Sequence, residues 1–312
     1  MQYNLKILRA FVACFMLLAS TASANEAARA FVDAHGSFMR LFSPSVSNVN
    51  VRYLTQPGNE EDDGPGEFDL QLLSVGLSVP IPISVDWMGG VNMDYEARRY
   101  NFEQVQGAAT ATGNESLHKV AFTGRLSYFV LPKLMTMVAV QFGIYSDLDE
   151  SLESDDYKVF GRGMAVYRWK ENRQFLGGLL VSEDFGDTRV IPLFGIRARS
   201  TDGRWHTSLT LPVEARLGYF TKGKSEVYGG LWLSGAQYHA RLGPADTALD
   251  VKVHERRVGL GLNLLLSKKL VVNLEAGTSL GSEFEFDVPN AGQFSGGLES
   301  APYLAIGLKG RI

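Results

Sequence analysis

From residue 270 to 286 the even positions read Leu270, Val272, Leu274, Ala276, Thr278, Leu280, Ser282, Phe284 and Phe286. The odd ones include Asn273, Glu275, Gly277, Ser279, Gly281, Glu283 and Glu285. A period of two puts one greasy and one wet face on a β-strand, and this run is roughly three times the mean strand length of soluble sheets. The preceding run repeats the pattern, with Val258, Leu260, Leu262, Leu264 and Leu266 opposed by Arg257, Gly259, Gly261 and Asn263. If Ser267-Lys268-Lys269 is a tight turn, 264 faces 272 and 262 faces 274, and the apolar faces coincide.

The same test is met around Pro132. Val120, Phe122, Leu126, Tyr128 and Val130 share a face with Leu134, Val138, Val140, Phe142 and Ile144, while Thr123, Arg125, Ser127, Gln141 and Gly143 share the other. Around Lys222-Gly223-Lys224, residues Val213, Ala215, Leu217 and Tyr219 align with Val227, Leu231 and Leu233. The parity of 190 to 211 switches across Thr201-Asp202-Gly203, which predicts a longer turn or a bulge. Repeated along the chain, the pattern predicts strands near 47–56, 67–80, 84–102, 115–130, 133–146, 156–169, 173–184, 187–200, 204–211, 213–221, 225–241, 250–266, 270–286 and 301–312. That is fourteen strands, or twelve if the short pair flanking Pro212 does not form.

Connections alternate between short turns, as at 81–83, 131–133 and 267–269, and long loops, as at 57–66, 103–114, 147–155, 242–249 and 287–300; 185–187 and Pro212 are tight exceptions. Short turns at one end and long loops at the other are the arrangement of a transmembrane barrel. Aromatics gather beside the short turns (Trp87, Tyr128, Phe129, Trp169, Trp205, Tyr219, Phe220) and toward the long loops (Tyr100, Phe102, Tyr145, Phe185, Tyr238, Phe284, Phe286). Two such groups predict two belts at the lipid–water boundaries. No stretch after the N-terminus has the 18 consecutive apolar residues of a spanning helix. An open sheet edge in hydrocarbon would leave backbone groups unpaired, so the sheet must close. The last strand, with Leu304, Ile306, Leu308 and Ile312 facing lipid, is expected to pair with the first near 46–56. The fold expected is all-β, a transmembrane antiparallel up-and-down β-barrel.

The N-terminus reads as an address. Lys6 and Arg9 precede an apolar run from Ala10 to Ala19, and Ala22-Ser23-Ala24 supplies the small residues of a signal-peptidase site. The division expected is a signal peptide at 1–24, a periplasmic leader or short helix at 25–45 and an outer-membrane barrel at 46–312. In 25–45, Phe31, Phe38, Met39, Leu41 and Phe42 fall at roughly helical spacing ahead of Pro44, so this stretch either caps the lower mouth or is a flexible leader.

Composition adds exclusions. Cys14, the one cysteine, lies within the signal, which leaves no thiol for a disulfide, a thiolate metal site or a cysteine nucleophile. The net charge is -4, with no basic excess to grip a phosphate backbone, so nucleic acid is not an expected partner. Neither a metal nor a cofactor is expected.

The chain resembles Gram-negative outer-membrane β-barrels, and its arrangement is similar to an uncharacterised barrel family known only as a domain of unknown function. The resemblance spans most of 67–312. It is carried by Ser78-Val79-Pro80-Ile81-Pro82, Ala165-Val166-Tyr167-Arg168-Trp169, Arg257-Val258-Gly259-Leu260-Gly261-Leu262, Leu274-Glu275-Ala276-Gly277 and Ala301-Pro302-Tyr303-Leu304. It implies outer-membrane lipid and the barrel-assembly machinery as partners, with function open. Such barrels commonly end in Phe or Trp, whereas this chain ends Lys309-Gly310-Arg311-Ile312.

The polar face of the strands is where function is expected. Asp86, Asn92, Asp94, Glu96 and Arg98, then Arg125, Glu214, Arg216, Glu255, Arg257, Glu275 and Glu283 are expected to face the lumen. If they remain hydrated they line a porin-like passive path for small polar solutes. If they pair across strands they plug an inert or binding barrel. Glycines 259 and 261, placed opposite 277 and 275, are expected to leave space beside Glu275. Fourteen strands lie between the filled eight-strand interior and the aqueous channel of sixteen or more. Catalysis is the rival class. His239 and His254, with Asp246 and Asp250 between them, are the one grouping suggestive of a base or metal cluster, but no G-x-S-x-G or H-E-x-x-H motif accompanies it, so no enzymatic role is expected. The acidic runs 60–63 and 155–156 are expected to be solvated.

Overall fold

The computed structural model describes residues 26–42, 47–60, 67–103, 113–148, 152–182, 188–221, 225–242, 247–288 and 292–311. The expected signal peptide, the tight connection at 185–187, the acidic residues 61–63, Asp246 and Ile312 lie outside them. A helix, α1 (Glu26–Phe42), is followed by β1 (Asn48–Glu60), β2 (Glu67–Pro82), β3 (Trp87–Glu103), β4 (Gly113–Leu131), β5 (Leu134–Ser146), β6 (Tyr157–Lys170), β7 (Arg173–Ser182) and β8 (Arg189–Arg199). Then come β9 (Trp205–Leu211), β10 (Glu214–Phe220), β11 (Glu226–Leu242), β12 (Thr247–Leu265), β13 (Leu270–Ser279), β14 (Glu283–Val288), β15 (Gly292–Gly297) and β16 (Pro302–Arg311).

Neighbours in sequence are neighbours in the sheet, and β1 pairs with β16, from Asn48 opposite Arg311 to Thr55 opposite Leu304. Both β13 and β14 lie along β12, so they are two lengths of one broken strand, continued back by β15 and β16. The result is a closed antiparallel up-and-down barrel of fourteen staves. The hairpin registers follow from matching apolar faces: Leu262 faces Leu274, Leu264 faces Val272, Phe122 faces Phe142 and Ala215 faces Leu231. The short pair around Pro212 does form, with Val213 N–H bonded to Thr210 at the turn.

One expectation fails in this region. The run 270–286 is not a single strand, and the expected loop 287–300 contains β15. Ser279 faces Arg257 but Glu283 faces His254, so one extra residue is inserted at 280–282, with Gly281 at φ +67°. A one-residue bulge reverses which side chains point inward.

Outward-facing Phe122, Val138, Phe142, Leu179, Phe194, Leu260 and Leu304 are all exposed, the inverse of a soluble core and the surface of a barrel made for lipid. Trp87, Trp169 and Trp205 are exposed beside the short turns, as expected of a belt, but two expected members turn inward, Phe129 buried against α1 and Phe220 in the lumen wall. The second belt is corrected: Tyr100, Tyr145, Tyr238, Phe284 and Phe286 are buried inside the barrel, in a core with Leu54, Leu70, Leu72, Val251 and Val253. Outward aromatics farther from the short turns are Tyr53 and Tyr157 instead. Polar residues then occupy the outer wall at the long-loop end, where Arg256 and Glu283 pair at 2.7 Å.

Two features narrow the interior. Over the tops of β6–β10, β5 and β11 meet directly: His239 pairs in parallel with Ser146, and the Arg241 N–H donates to Asp147 Oδ2 at 2.6 Å. At the short-turn end α1 lies inside the barrel. Its Phe31, Phe38 and Met39 pack on Met88, Phe129, Met135, Val166 and Leu176, the inward side chains of β3–β7. His35 stacks on Phe129 at 3.7 Å and bonds Asp86 at 3.2 Å, and Gln174 donates to the Phe38 carbonyl.

Candidate functional site

Strand alternation delivers the polar residues of β1, β3, β10–β13 and β16 to the lumen in two layers. The upper layer is an ion-pair network directly beneath the apolar core. Arg98 bonds Glu96 at 2.5 Å and Glu255 at 3.3 Å, Arg257 bonds the other oxygen of Glu255 at 3.3 Å, and Tyr238 donates to Glu96. Arg98, Glu255 and Arg257 are buried. Charges removed from water in this way are costly unless paired. Arg98 is held by two carboxylates, whereas Arg257 reaches Glu255 alone and its buried Nη1 has no hydrogen-bond partner among the described residues.

The lower layer centres on Glu275. One of its oxygens accepts from Arg52 at 2.7 Å and Tyr303 at 3.0 Å, the other from Tyr228 at 2.8 Å. The space expected beside Glu275 is filled. A side chain at Gly261 would fall in the Tyr228 ring and one at Gly259 on the Tyr303 hydroxyl, so the glycines let these rings lie flat against the wall and reach the carboxylate. Beside them, Glu226 accepts from Arg216 at 2.6 Å and Asn263 at 2.8 Å and pairs with His206 at 3.0 Å. Arg216 also sits 3.7 Å over the Tyr228 ring, a cation–π contact.

Toward the short turns this layer opens into a cavity of about 570 Å³ lined by Asn50, Arg52, Arg216, Phe220, Glu226, Tyr228, Trp232, Asn273, Glu275, Lys309 and Arg311, among others. α1 occupies the opposite side of the same mouth.

Of the residues singled out from sequence, Glu96, Arg98, Glu255 and Arg257 therefore form the upper network, and Glu275 and Arg216 belong to the lower. Asp94 lies with Asn50 over Gly76, and Arg125 lies over Gly90. Ala139 separates Arg125 from Arg162 of β6 in the register, which makes a second cationic patch. Glu283 is a correction: the bulge turns it to the outer wall, half exposed against Arg256. His239 pairs with Asp250 at 3.1 Å near Glu153, away from the lumen, and no cluster of three or more metal-ligating side chains occurs among the described residues. Sequence reasoning passed over Arg52, Tyr228, Tyr303, Glu226, Lys309 and Arg311. Arg52 alternates with Leu54 and Asn50 on β1, and the same parity rule would have found it.

The inward-facing cations Arg52, Arg98, Lys119, Arg125, Arg162, Arg197, Arg216, Arg257, Lys309 and Arg311 outnumber the inward carboxylates Asp94, Glu96, Glu214, Glu226, Glu255 and Glu275. Among the described residues the lumen wall is basic although the chain carries net -4.

A family model, domain of unknown function DUF6268, matches residues 50–311. The chain belongs to the DUF6268 family. No curated protein matches this DUF6268 chain in sequence. Its barrel is similar in structure to a FadL homologue of Pseudomonas aeruginosa (11% identity, 93% of this chain and 95% of that one, TM-score 0.48). It is also similar to an outer-membrane channel of Pseudomonas putida F1 (11%, 86% and 97%, TM-score 0.43) and to the translocator domain of autotransporter NalP from Neisseria meningitidis (12%, 92% and 98%, TM-score 0.30). At this level the likeness carries nothing about function.

Proposed function

We propose that this DUF6268 protein is an exported outer-membrane barrel that is closed at rest, with a polar vestibule open at its short-turn, periplasmic mouth. The observation that carries this reading is the buried core of Leu54, Leu72, Tyr100, Tyr145, Tyr238, Val251 and Phe284 across the long-loop half of the lumen. A porin-like passage keeps its lining hydrated; a lining of interlocked apolar side chains leaves water no path. Ion pairing beneath the core and α1 in the lower mouth favour the plugged alternative over a standing channel for small polar solutes. A cleaved signal at 1–24 and insertion by the barrel-assembly machinery complete the reading, which assigns no catalytic role.

Liposome swelling tests it. Vesicles carrying the full chain should swell in arabinose no faster than empty vesicles, whereas a Tyr145→Ala/Tyr238→Ala/Phe284→Ala chain lacking residues 26–42 should swell measurably. Rapid swelling by the unaltered protein would overturn the closed state in favour of porin-like passage.

A further inference from the structure

Among the described residues the vestibule holds more positive charge than its carboxylates neutralise. Four cations line it, Arg52, Arg216, Lys309 and Arg311, against two carboxylates, Glu226 and Glu275. Both carboxylates are saturated: Glu275 by Arg52 and two tyrosine hydroxyls, Glu226 by Arg216, Asn263 and His206. Lys309 and Arg311 project from the same face of β16. Among the described residues no carboxylate lies within salt-bridge distance of either. In a walled cavity, field lines are focused and a counter-ion is drawn in. The rest of the lining sets the body of that ion: Phe220, Trp232, Leu265 and Val271 offer an apolar and aromatic wall, with the Asn50 amide beside it. The volume lies within the range of small-molecule pockets.

We propose that the vestibule binds a small organic anion, its carboxylate or phosphate held by Lys309 and Arg311 and its body laid against Phe220 and Trp232. This rests on the reading of the lumen as a vestibule sealed above the Glu275 layer. Inorganic anions lack the body for the aromatic wall, and neutral sugars lack the charge that Lys309 and Arg311 demand.

The test is isothermal titration of the detergent-solubilised full chain with benzoate and glucose 6-phosphate, each against its neutral counterpart, benzyl alcohol and glucose. Expected is binding of at least one anion about tenfold or more tighter than its neutral counterpart, weakened by added salt. Benzoate success assigns a carboxylate on an aromatic body, glucose 6-phosphate success a phosphate ester. Lys309→Gln/Arg311→Gln should lower that affinity about tenfold or more, while Lys309→Arg preserves it. Heat-modifiable migration on gels confirms that each variant is folded. If the double variant does not fold, the salt dependence and the single Lys309→Gln and Lys309→Arg variants decide. Equal affinity for charged and neutral probes, no binding of either anion, or unchanged affinity in the folded glutamine variants would overturn the proposal. A barrel that swells vesicles yet prefers benzoate to benzyl alcohol would overturn closure and leave the anion site standing. A closed barrel that binds neither anion would overturn the site alone.

Discussion

At the scale of single residues, Glu275 and Gly261 depend on each other. The carboxylate is nearly enclosed and accepts from three donors, one of them the Tyr228 hydroxyl, which can approach only because position 261 has no side chain. Gly261→Ala should displace Tyr228 and lower stability by about 1–3 kcal/mol, the usual cost of overpacking. Gly163, with nothing within 4 Å of an added Cβ, should accept the same change with little effect. Urea midpoints of the two variants in detergent check this, and equal midpoints would contradict the flat-ring arrangement. Truncation of Glu275 to alanine leaves the Tyr228 and Tyr303 hydroxyls without their acceptor, while Arg52, a third exposed, turns to the cavity; the change should cost about 1–3 kcal/mol. Glu283→Ala removes a half-exposed pair and should cost within about 1 kcal/mol.

At the scale of elements, the decisive feature is the bulge at 280–282. Hairpins such as 257–279 were legible residue by residue because two long alternating runs joined by three polar residues admit one register. The bulge was not, since Leu280-Gly281-Ser282 continues the alternation of letters while the backbone adds a residue, so Phe284 and Phe286 read as lipid-facing and Glu283 as lumenal. Their true places show only against Val251 and Val253 across the ladder. For the same reason the upper aromatics resembled a belt; strand alternation names a face, not the medium that face meets. Deleting Gly281 should put Glu283 and Glu285 into the core and abolish the heat-modifiable folded form; a folded deletion variant would contradict the bulge's role. α1 was half legible, as apolar residues at helical spacing without a partner. With Cys14 replaced, a cysteine at Met135, buried under the helix, should react slowly with a membrane-impermeant maleimide and rapidly once residues 26–42 are removed.

At the scale of the whole molecule, the barrel has two regimes along its axis. Nearer the short turns the outside is apolar and the inside is divided, a basic cavity along β1, β10–β13 and β16 facing α1 and its apolar contacts on β3–β7; beyond the Glu96–Arg98–Glu255–Arg257 network the inside becomes an apolar core and the outside carries charge. The upper end is thereby built like a soluble domain, narrowed where β5 meets β11, and the lower end like a membrane cylinder. On the proposed reading this division closes the barrel without a separate plug domain, with α1 narrowing the remaining mouth. It also gathers Arg52, Arg216, Lys309 and Arg311 around the cavity at the short-turn end. Single-channel recording of the purified full chain in a planar bilayer tests that division most directly. Closure by the long-loop core predicts no sustained ohmic steps in the intact barrel and conductance after Tyr145, Tyr238 and Phe284 are cut to alanine; steady open steps from the intact barrel would contradict it.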